Sequence, residues 1–264
     1  MRTIKINDEG NDTVLLAQEL IRNGYPVKES RICTQEMKDA LIDFQKKNKL
    51  DADGVAGYRT WEVLLFSGYK SGENLTDEDF NMVAKLLNCE TAALKAVQKV
   101  ETGGKGGFFA PGKPAILFEG HIFWNQLKKR GINPEAHVAG NEHILYPKWE
   151  KGHYKGGIGE YERLEQARKI HCDAADASAS WGMFQIMGFN YAACGELSLE
   201  SFVKSMCESE CRQLLLSARF IKNAGMLPAL QAKDWAEFAK RYNGPAYAEN
   251  QYDKKLAEAY KRYL

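Results

Sequence analysis

The strongest constraint on the fold is a helical spacing of apolar residues that recurs along the chain. The first such stripe lies within residues 12–23, where Gly24 is expected to end the helix, and it consists of Val14, Ala17 and Ile21. A second stripe follows Thr34, a predicted N-cap, and it consists of Met37, Ala40, Leu41 and Phe44. A third short helix carries Trp61, Leu64 and Leu65. These stripes predict a compact three-helix unit at the start of the chain.

Small and polar residues at positions 69–75 predict a linker between two domains. The first domain is then residues 1–68, and the second, residues 76–264, is long enough for a sizeable core of its own. Helical patterns dominate the second domain, beginning with the stripe Phe80, Val83, Ala84 and Leu87. The glycine-rich segment, residues 103–114, is predicted to be a flexible loop, and it precedes an apolar run at residues 115–119. That run predicts a short strand. The predicted fold class is mainly α, with a small β element in the larger domain.

Charge and hydropathy exclude several kinds of partner. The 36 Lys and Arg residues nearly balance the 35 Asp and Glu residues, and no basic arm is present, so we expect no nucleic-acid partner. The start of the chain lacks the apolar core of a signal peptide, and we expect synthesis in the cytosol. The amphipathic stripe of Tyr252, Leu256, Tyr260 and Tyr263 is expected to pack on the domain. We therefore expect no stable membrane association, and a monomer.

Cysteines and histidines give no pattern typical of a metal site. The five histidines form no His-Glu-x-x-His helix, and no Cys/His pair has zinc spacing, so we expect no metal and no cofactor. The six cysteines are scattered, which favours reduced thiols over disulfides formed after release into an oxidising space.

The segment of residues 51–57 has calcium-binding composition but the wrong spacing. An EF-hand loop with its glycine at Gly54 would need a closing glutamate at position 60, where Thr60 stands. A tight turn is therefore predicted here. With the helices on either side of it, this segment resembles the three-helix peptidoglycan-binding domain of many cell-wall hydrolases. The resemblance covers about the first 68 residues and implies binding of bacterial peptidoglycan by a region that includes Gln18, Tyr25, Asp53 and Trp61.

Glu101 ends a helical run with its carboxylate on the apolar side. Leu94, Val97 and Glu101 stand at i, i+3 and i+7, so the three side chains share one face. A carboxyl group among apolar neighbours has a raised pKa, because desolvation disfavours the anion, and it can then act as a general acid near neutral pH. The alternative is that Glu101 faces water at a frayed helix end.

Two later segments add to this hypothesis. Residues 180–188 combine serine, glycine and an amide with large apolar groups, and residues 241–245 interrupt a helical stretch with Tyr-Asn-Gly-Pro. Each segment alone is compatible with an ordinary core or turn. With Glu101, their order resembles that of the lysozyme-like superfamily, although Gly-Leu-Met-Gln is usual there and this chain has Gly-Met-Phe-Gln. The segments look still more like the N-acetylmuramidase domain of modular bacteriophage endolysins.

That resemblance implies a function for the larger domain. It implies that Glu101 protonates the glycosidic oxygen between N-acetylmuramic acid and N-acetylglucosamine, and that the groove is lined by Ser180, Gln185, Tyr242 and Asn243. It also implies an enzyme made in the host cytoplasm that reaches peptidoglycan in the periplasm after the membrane is permeabilised.

Three alternatives remain open at this point. Glu119 is the candidate second catalytic carboxylate, for positioning water or stabilising positive charge, but a buried structural ion pair explains it equally well. Without a water-activating group, the muramic C6 hydroxyl can attack, and the product is then the anhydro sugar of a lytic transglycosylase. A non-catalytic peptidoglycan-binding protein is the third alternative.

Overall fold

The computed structural model describes residues 1–69, 74–103 and 106–264, which form two compact units. The first unit contains residues 1–69 and 77–91, and the second contains residues 74–76 and the described residues from 92 to 264. Residues 70–73 of the predicted linker, and Gly104 and Lys105 of the glycine-rich segment, lie outside the described residues. The predicted domain boundaries at residues 68 and 76 remain a prediction.

The first unit is helical. Its helices are α1 (Asn11–Arg22), α2 (Gln35–Lys47), α3 (Tyr58–Phe66) and α4 (Asp77–Leu87). Thr34 caps α2 as predicted, because its side chain accepts a hydrogen bond from the Met37 N–H at 3.3 Å. The inward residues predicted for α4 are all buried: Phe80, Val83, Ala84 and Leu87. The predicted helical character of this part of the chain is confirmed.

The inward face predicted for α1 is partly wrong. Ile21 is 44% exposed, whereas Leu16 and Leu20 are completely buried. Apolar residues occupy more than one face of this helix, so spacing alone permits two stripes, and packing against α2 and α3 selects the one that contains Leu16 and Leu20.

The tight turn predicted near residue 54 is confirmed. The amide of buried Gln45 organises it, with Oε1 accepting from the Gly54 N–H at 2.9 Å and Nε2 donating to the Asp53 carboxylate at 3.0 Å. Gly54 has a φ of +70°, and a Cβ there would lie 2.8 Å from the Lys38 side chain. Glycine is required at this position by both conformation and space.

The second unit surrounds a short antiparallel sheet with helices. Its strands are β1 (Phe108–Ala110), β2 (Lys113–Pro114), β3 (Ile116–Phe118), β4 (Ala179–Trp181) and β5 (Ile186–Met187). Strands β1 and β2 pair with each other, and β3, β4 and β5 form a three-stranded sheet in that order. The short strand predicted at residues 115–119 is confirmed as β3. The second unit thus has the small β element within a mainly α fold.

Nine helices of the described residues complete the second unit. They are α5 (Thr91–Thr102), α6 (Gly120–Lys129), α7 (Glu160–Ile170), α8 (Cys172–Ala177), α9 (Leu199–Met206), α10 (Glu210–Asn223), α11 (Leu227–Ala232), α12 (Trp235–Asn243) and α13 (Tyr252–Tyr263). Helix α10 is buried on nearly every side, including its polar residues Gln213 and Ser217. It is therefore the central helix of this unit.

A buried ion pair holds the end of β3. Glu160 and Arg163 have no exposed side-chain surface, and the Arg163 guanidinium donates to the Glu160 carboxylate at 2.7 Å. Glu160 also accepts from the Phe118 N–H, while Arg163 donates to the Phe118 carbonyl. Both backbone groups of Phe118 are thereby satisfied by charged side chains, which fixes the strand.

The C-terminal helix packs mainly through Leu256 and Ala259, which are 1% and 6% exposed. Tyr263 was predicted to share this packed face. That prediction is wrong, because Tyr263 is 41% exposed at the end of α13. In the described part of the chain, no helix has both the length and the hydropathy of a membrane span.

Candidate active site

Glu101 lies in the last turn of α5, on the same face as buried Leu94 and Val97. Burial raises the pKa of Glu101 from its ordinary value of 4.5 to about 7. A hydrogen bond from the Asn243 Nδ2 to Oε1, at 3.1 Å, acts in the opposite direction and is the smaller effect. The predicted inward orientation and raised pKa are confirmed, so the carboxyl group retains a proton close to neutral pH.

A cleft of about 310 Å³ opens beside this carboxyl group. Besides Glu101, its walls include Gly106 of the glycine-rich segment, Ala115 before β3, and Met183 and Gln185 of the turn between β4 and β5. A protonated carboxyl group at the edge of an open cleft can give its proton to a bound substrate. A neighbouring cavity of about 400 Å³ shares Gly106 and Phe109 with the cleft but is not lined by Glu101.

Ser180 and Gln185 are joined across the turn between β4 and β5. The Ser180 hydroxyl donates to Gln185 Oε1 at 2.8 Å, and Gln185 Nε2 donates to the carbonyls of Gly182 and Ala115, at 2.9 and 3.3 Å. Gln185 has a φ of +47°, an uncommon conformation for this residue type. Gln185 reaches the cleft, but both N–H groups of its amide serve to hold the turn.

Tyr242 supports the same turn from α12. Its hydroxyl donates to the Phe184 carbonyl at 2.9 Å, and its ring stacks on Phe238 with 5.6 Å between the centroids. Burial raises the pKa of Tyr242 well above its usual value, and the negative charge of Glu101 acts in the same direction. The phenol is therefore a neutral hydrogen-bond donor throughout the physiological pH range.

Asn243 is the side chain that contacts Glu101 directly. It is the last residue of α12, and Gly244 follows with a φ of +84°, which ends the helix. Asn243 Oδ1 is buried and has no hydrogen-bond partner within the described residues. Asn243, like Ser180 and Tyr242, is not among the described residues that line the cleft.

Glu119 lies in a different environment. It precedes α6, and its Oε2 accepts from the Tyr154 hydroxyl at 2.7 Å and lies 3.4 Å from His121 Nδ1. Burial, together with the Glu119 carboxylate, raises the pKa of Tyr154. Glu119 is not among the described residues that line the cleft. These contacts give the carboxylate a hydrogen-bonded neighbour, and the catalytic and ion-pair alternatives considered from the sequence both remain predictions.

Two residues on α10 that contact the walls of the cleft carried no sequence signal. Gln213 is completely buried and its amide binds the backbone of both the glycine-rich segment and the turn after β4. Glu210 accepts from the Gly107 N–H at 2.7 Å. A buried amide within an otherwise ordinary helix is not distinguishable by spacing from a solvent-exposed one, so only the structure reveals these contacts.

The four residues predicted for peptidoglycan binding in the first unit have different surroundings. Gln18 is exposed and its amide donates to Glu29, Tyr25 donates to Asp43, and Asp53 belongs to the turn held by Gln45. Trp61 has no exposed surface, and its Nε1 donates to the Arg2 carbonyl at 3.0 Å. Trp61 therefore supports the unit from its core, and the binding roles of the other three remain a prediction.

Within residues 1–69, 74–103 and 106–264, no group of three or more His, Cys, Asp or Glu side chains has an arrangement that could hold a metal ion. Burial raises the pKa of the Cys194 thiol to about 12, so this side chain stays protonated and is a poor nucleophile or ligand.

Comparison with known proteins identifies relatives of both parts of the chain. Residues 90–264 match the family described as N-acetylmuramidase, and residues 9–64 match the family described as a putative peptidoglycan binding domain. The crystal structure of the Burkholderia AP3 phage endolysin is 40% identical in sequence, and the match covers 99% of each chain with a TM-score of 0.66. No curated protein matches this chain.

Proposed function

Since this chain belongs to the N-acetylmuramidase family, we propose that Glu101 is the general acid with which it cleaves peptidoglycan. The enzyme is a peptidoglycan hydrolase of the endolysin type, a glycoside hydrolase that cuts the β-1,4 bond between N-acetylmuramic acid and N-acetylglucosamine. The observation that carries the proposal is the raised pKa of Glu101, about 7, at the edge of the cleft.

The reaction begins with proton transfer. Protonated Glu101 gives its proton to the glycosidic oxygen, the C1–O bond breaks, and positive charge develops on the muramic ring as in an oxocarbenium ion. Water then adds to C1, and the proton that this water loses restores the carboxyl group. Asn243 Nδ2 donates to Oε1 of the acid, so it stabilises the carboxylate left after the transfer. The same hydrogen bond orients the carboxyl group before the transfer.

The remaining predicted residues are assigned to substrate binding and to the shape of the cleft. Asn243 is assigned to the N-acetylated sugar as well as to the acid that it contacts. Gln185, joined to Ser180, presents the turn after β4 to the glycan, and Tyr242 fixes that turn through the Phe184 carbonyl. These groups bind and position the substrate and transfer no proton.

Glu119 remains the candidate second carboxylate, and its contacts favour the structural alternative. Its Oε2 accepts from Tyr154 and lies near His121, and Glu119 is not among the described residues that line the cleft beside Glu101. Family membership favours hydrolysis over the anhydro product of a transglycosylase and over a non-catalytic binding protein.

The first unit is assigned to substrate retention. Its match to a peptidoglycan-binding domain supports peptidoglycan as the ligand. We propose that the monomeric enzyme is made in the host cytoplasm and acts in the periplasm once the membrane has been permeabilised. The first unit then keeps the second close to its polymer, which raises the local substrate concentration.

Glu101→Gln tests the proposal. This variant keeps the Oε1 acceptor for Asn243 but cannot donate the proton, so we expect the rate of cell-wall lysis to fall by about 10²–10⁴-fold. Pulldown by insoluble peptidoglycan should be unchanged. Glu258→Gln, at an exposed position on α13, is the matched control and should keep full activity. Lysis by Glu101→Gln at the rate of the control would refute the assignment.

Product analysis tests the bond and the outcome separately. Mass spectrometry of digested peptidoglycan should show hydrated N-acetylmuramic acid at the new reducing ends, with the peptide bonds intact. Products ending in N-acetylglucosamine would contradict cleavage by a muramidase, and anhydro-muramic ends would contradict hydrolysis.

A further inference from the structure

Gln213 lies in the central helix α10, beneath the cleft, with no exposed surface. Its Oε1 accepts from the Met183 N–H at 2.7 Å, and its Nε2 donates to the carbonyls of Gly107 and Met206 at 3.2 and 2.9 Å. A single side chain therefore ties the glycine-rich segment to the turn after β4. Both segments form walls of the cleft that contains Glu101.

Two glycines make room for this amide. A Cβ at Gly107 would lie 2.2 Å from Gln213 Oε1, and a Cβ at Gly182 would lie 2.8 Å from its Cδ. Neither distance is compatible with a side chain at these positions unless Gln213 moves. The glycines are therefore complementary in shape to the amide, and all three residues form one packed unit.

Glu210 also binds the backbone of Gly107. Its carboxylate accepts from the Gly107 N–H at 2.7 Å and from the Leu75 N–H at 2.8 Å. The Gly107 carbonyl also accepts from the Ala115 N–H at 2.8 Å, and the Ala115 carbonyl accepts from the Gly182 N–H at 2.7 Å. The hydrogen bonds thus run continuously from Glu210 and Gln213 through Gly107 and Ala115 to the turn after β4.

We propose that Gln213, assisted by Glu210, is a positioning residue for glycan cleavage, which fixes the spacing of the cleft walls around the bond presented to Glu101. The inference rests on the proposed function of the cleft. Gln213 does not line the cleft and acts only through the backbone of Gly107 and Met183. A displacement of about 1 Å at a reacting centre costs up to about 10²-fold in rate. If the walls of the cleft are no longer held in place, we therefore expect mainly kcat to fall.

Gln213→Met tests the proposal, because methionine has similar length and lacks all three hydrogen bonds. We expect kcat for release of reducing ends from soluble, uncrosslinked peptidoglycan to fall by about 10-fold to 100-fold, with KM changed by less than about threefold. Rates are compared well below the melting temperature of each variant. Gln126→Met is the matched control, since Gln126 is a buried amide in α6 that accepts from Arg130. It should lower the melting temperature without lowering kcat.

Gly107→Ala gives an independent test if Gln213→Met does not fold. The alanine leaves the chemistry of Gln213 intact but displaces its amide, so kcat should fall. In the double variant Gly107→Ala/Gln213→Ala the added methyl group has space, and kcat should fall no further than in Gln213→Ala alone. Independent, multiplicative losses would overturn the proposal.

The outcomes separate the inference from the proposed function. A wild-type enzyme that releases no reducing ends would refute the function, and the inference would fail with it. An active wild type together with Gln213→Met and Gly107→Ala variants of unchanged kcat would refute the inference alone. An equal loss of kcat in Gln126→Met would also refute it, because the effect would then be a general consequence of losing a buried amide.

Discussion

Glu101→Gln should stabilise the protein at alkaline pH and leave its stability unchanged in acid. Burial raises the pKa of Glu101 to about 7 in the folded protein, against an ordinary value of 4.5 for the unfolded chain. The folded state therefore binds this proton more tightly than the unfolded state. The contribution of the protonated Glu101 carboxyl group to stability is complete below pH 4.5 and is lost as the pH rises through 7, where the buried anion must form.

The size of the effect follows from the two pKa values. At about 1.4 kcal/mol for each pH unit between them, a pKa of about 7 against 4.5 corresponds to about 3.5 kcal/mol above pH 7. Glutamine has no charge to bury and can still accept from Asn243. At roughly 2–4 °C per kcal/mol for a unit of this size, the variant should melt roughly 7–14 °C above the wild type at pH 8.5.

Thermal unfolding of the intact chain, followed by tryptophan fluorescence, measures this difference. Four of the five tryptophans lie in the second unit: Trp124, Trp149, Trp181 and Trp235. Every other titrating group is common to the two proteins, so the pH dependence of the difference isolates Glu101. The exposed control Glu258→Gln should follow the wild type at every pH. A difference that does not grow between pH 4.5 and 8.5, or a Glu101→Gln variant that melts below the wild type at pH 8.5, would refute a buried proton donor.

Three further predictions concern the rate, the second carboxylate and the buried ion pair. Because the acid must carry its proton, kcat/KM should be constant below pH 7 and should fall about tenfold per pH unit above it. Initial rates at constant ionic strength measure this dependence, and a decline in kcat/KM that begins near pH 4.5 would contradict it. Glu119→Gln should keep kcat within about tenfold of the wild type, since its contacts are structural; a loss of more than about 100-fold in the same assay would instead assign it to catalysis. Arg163→Met should destabilise the protein by about 3–5 kcal/mol, because Glu160 is left buried without its cation; an unchanged melting temperature would exclude this role.

The local environment of Glu101 was predictable from the sequence, but its partner was not. A carboxylate at i+7 from Leu94 and i+4 from Val97 has to share their face, because a helix repeats every 3.6 residues. Asn243 is 142 residues away in sequence. No local periodicity connects positions so far apart, and only the family resemblance of the Tyr-Asn-Gly segment indicated that the two meet.

The positions of the helices and the composition of the core were also predictable. Which face of each helix is buried was less predictable. In α1 both Ile21 and Leu20 satisfy an apolar repeat, and only Leu20 is buried. Trp61 illustrates the same limit, since an aromatic residue of a binding domain is compatible with a surface that contacts ligand and with a core that supports it. Its complete burial follows from the packing of the helices around it, which depends on all of them together.

The glycine-rich segment shows where composition misleads. Frequent glycines predict a flexible loop, because glycine has the widest conformational freedom. In the described residues of this segment, however, both backbone groups of Gly107 are hydrogen-bonded, and Gln213 occupies the space of its missing side chain. Glycine is needed there for the close approach of a buried amide. The same amide fits against Gly182 on the other wall of the cleft, so one side chain explains the glycines on both walls. Gly107, Gly182 and Gln213 are too far apart in sequence to form a recognisable motif.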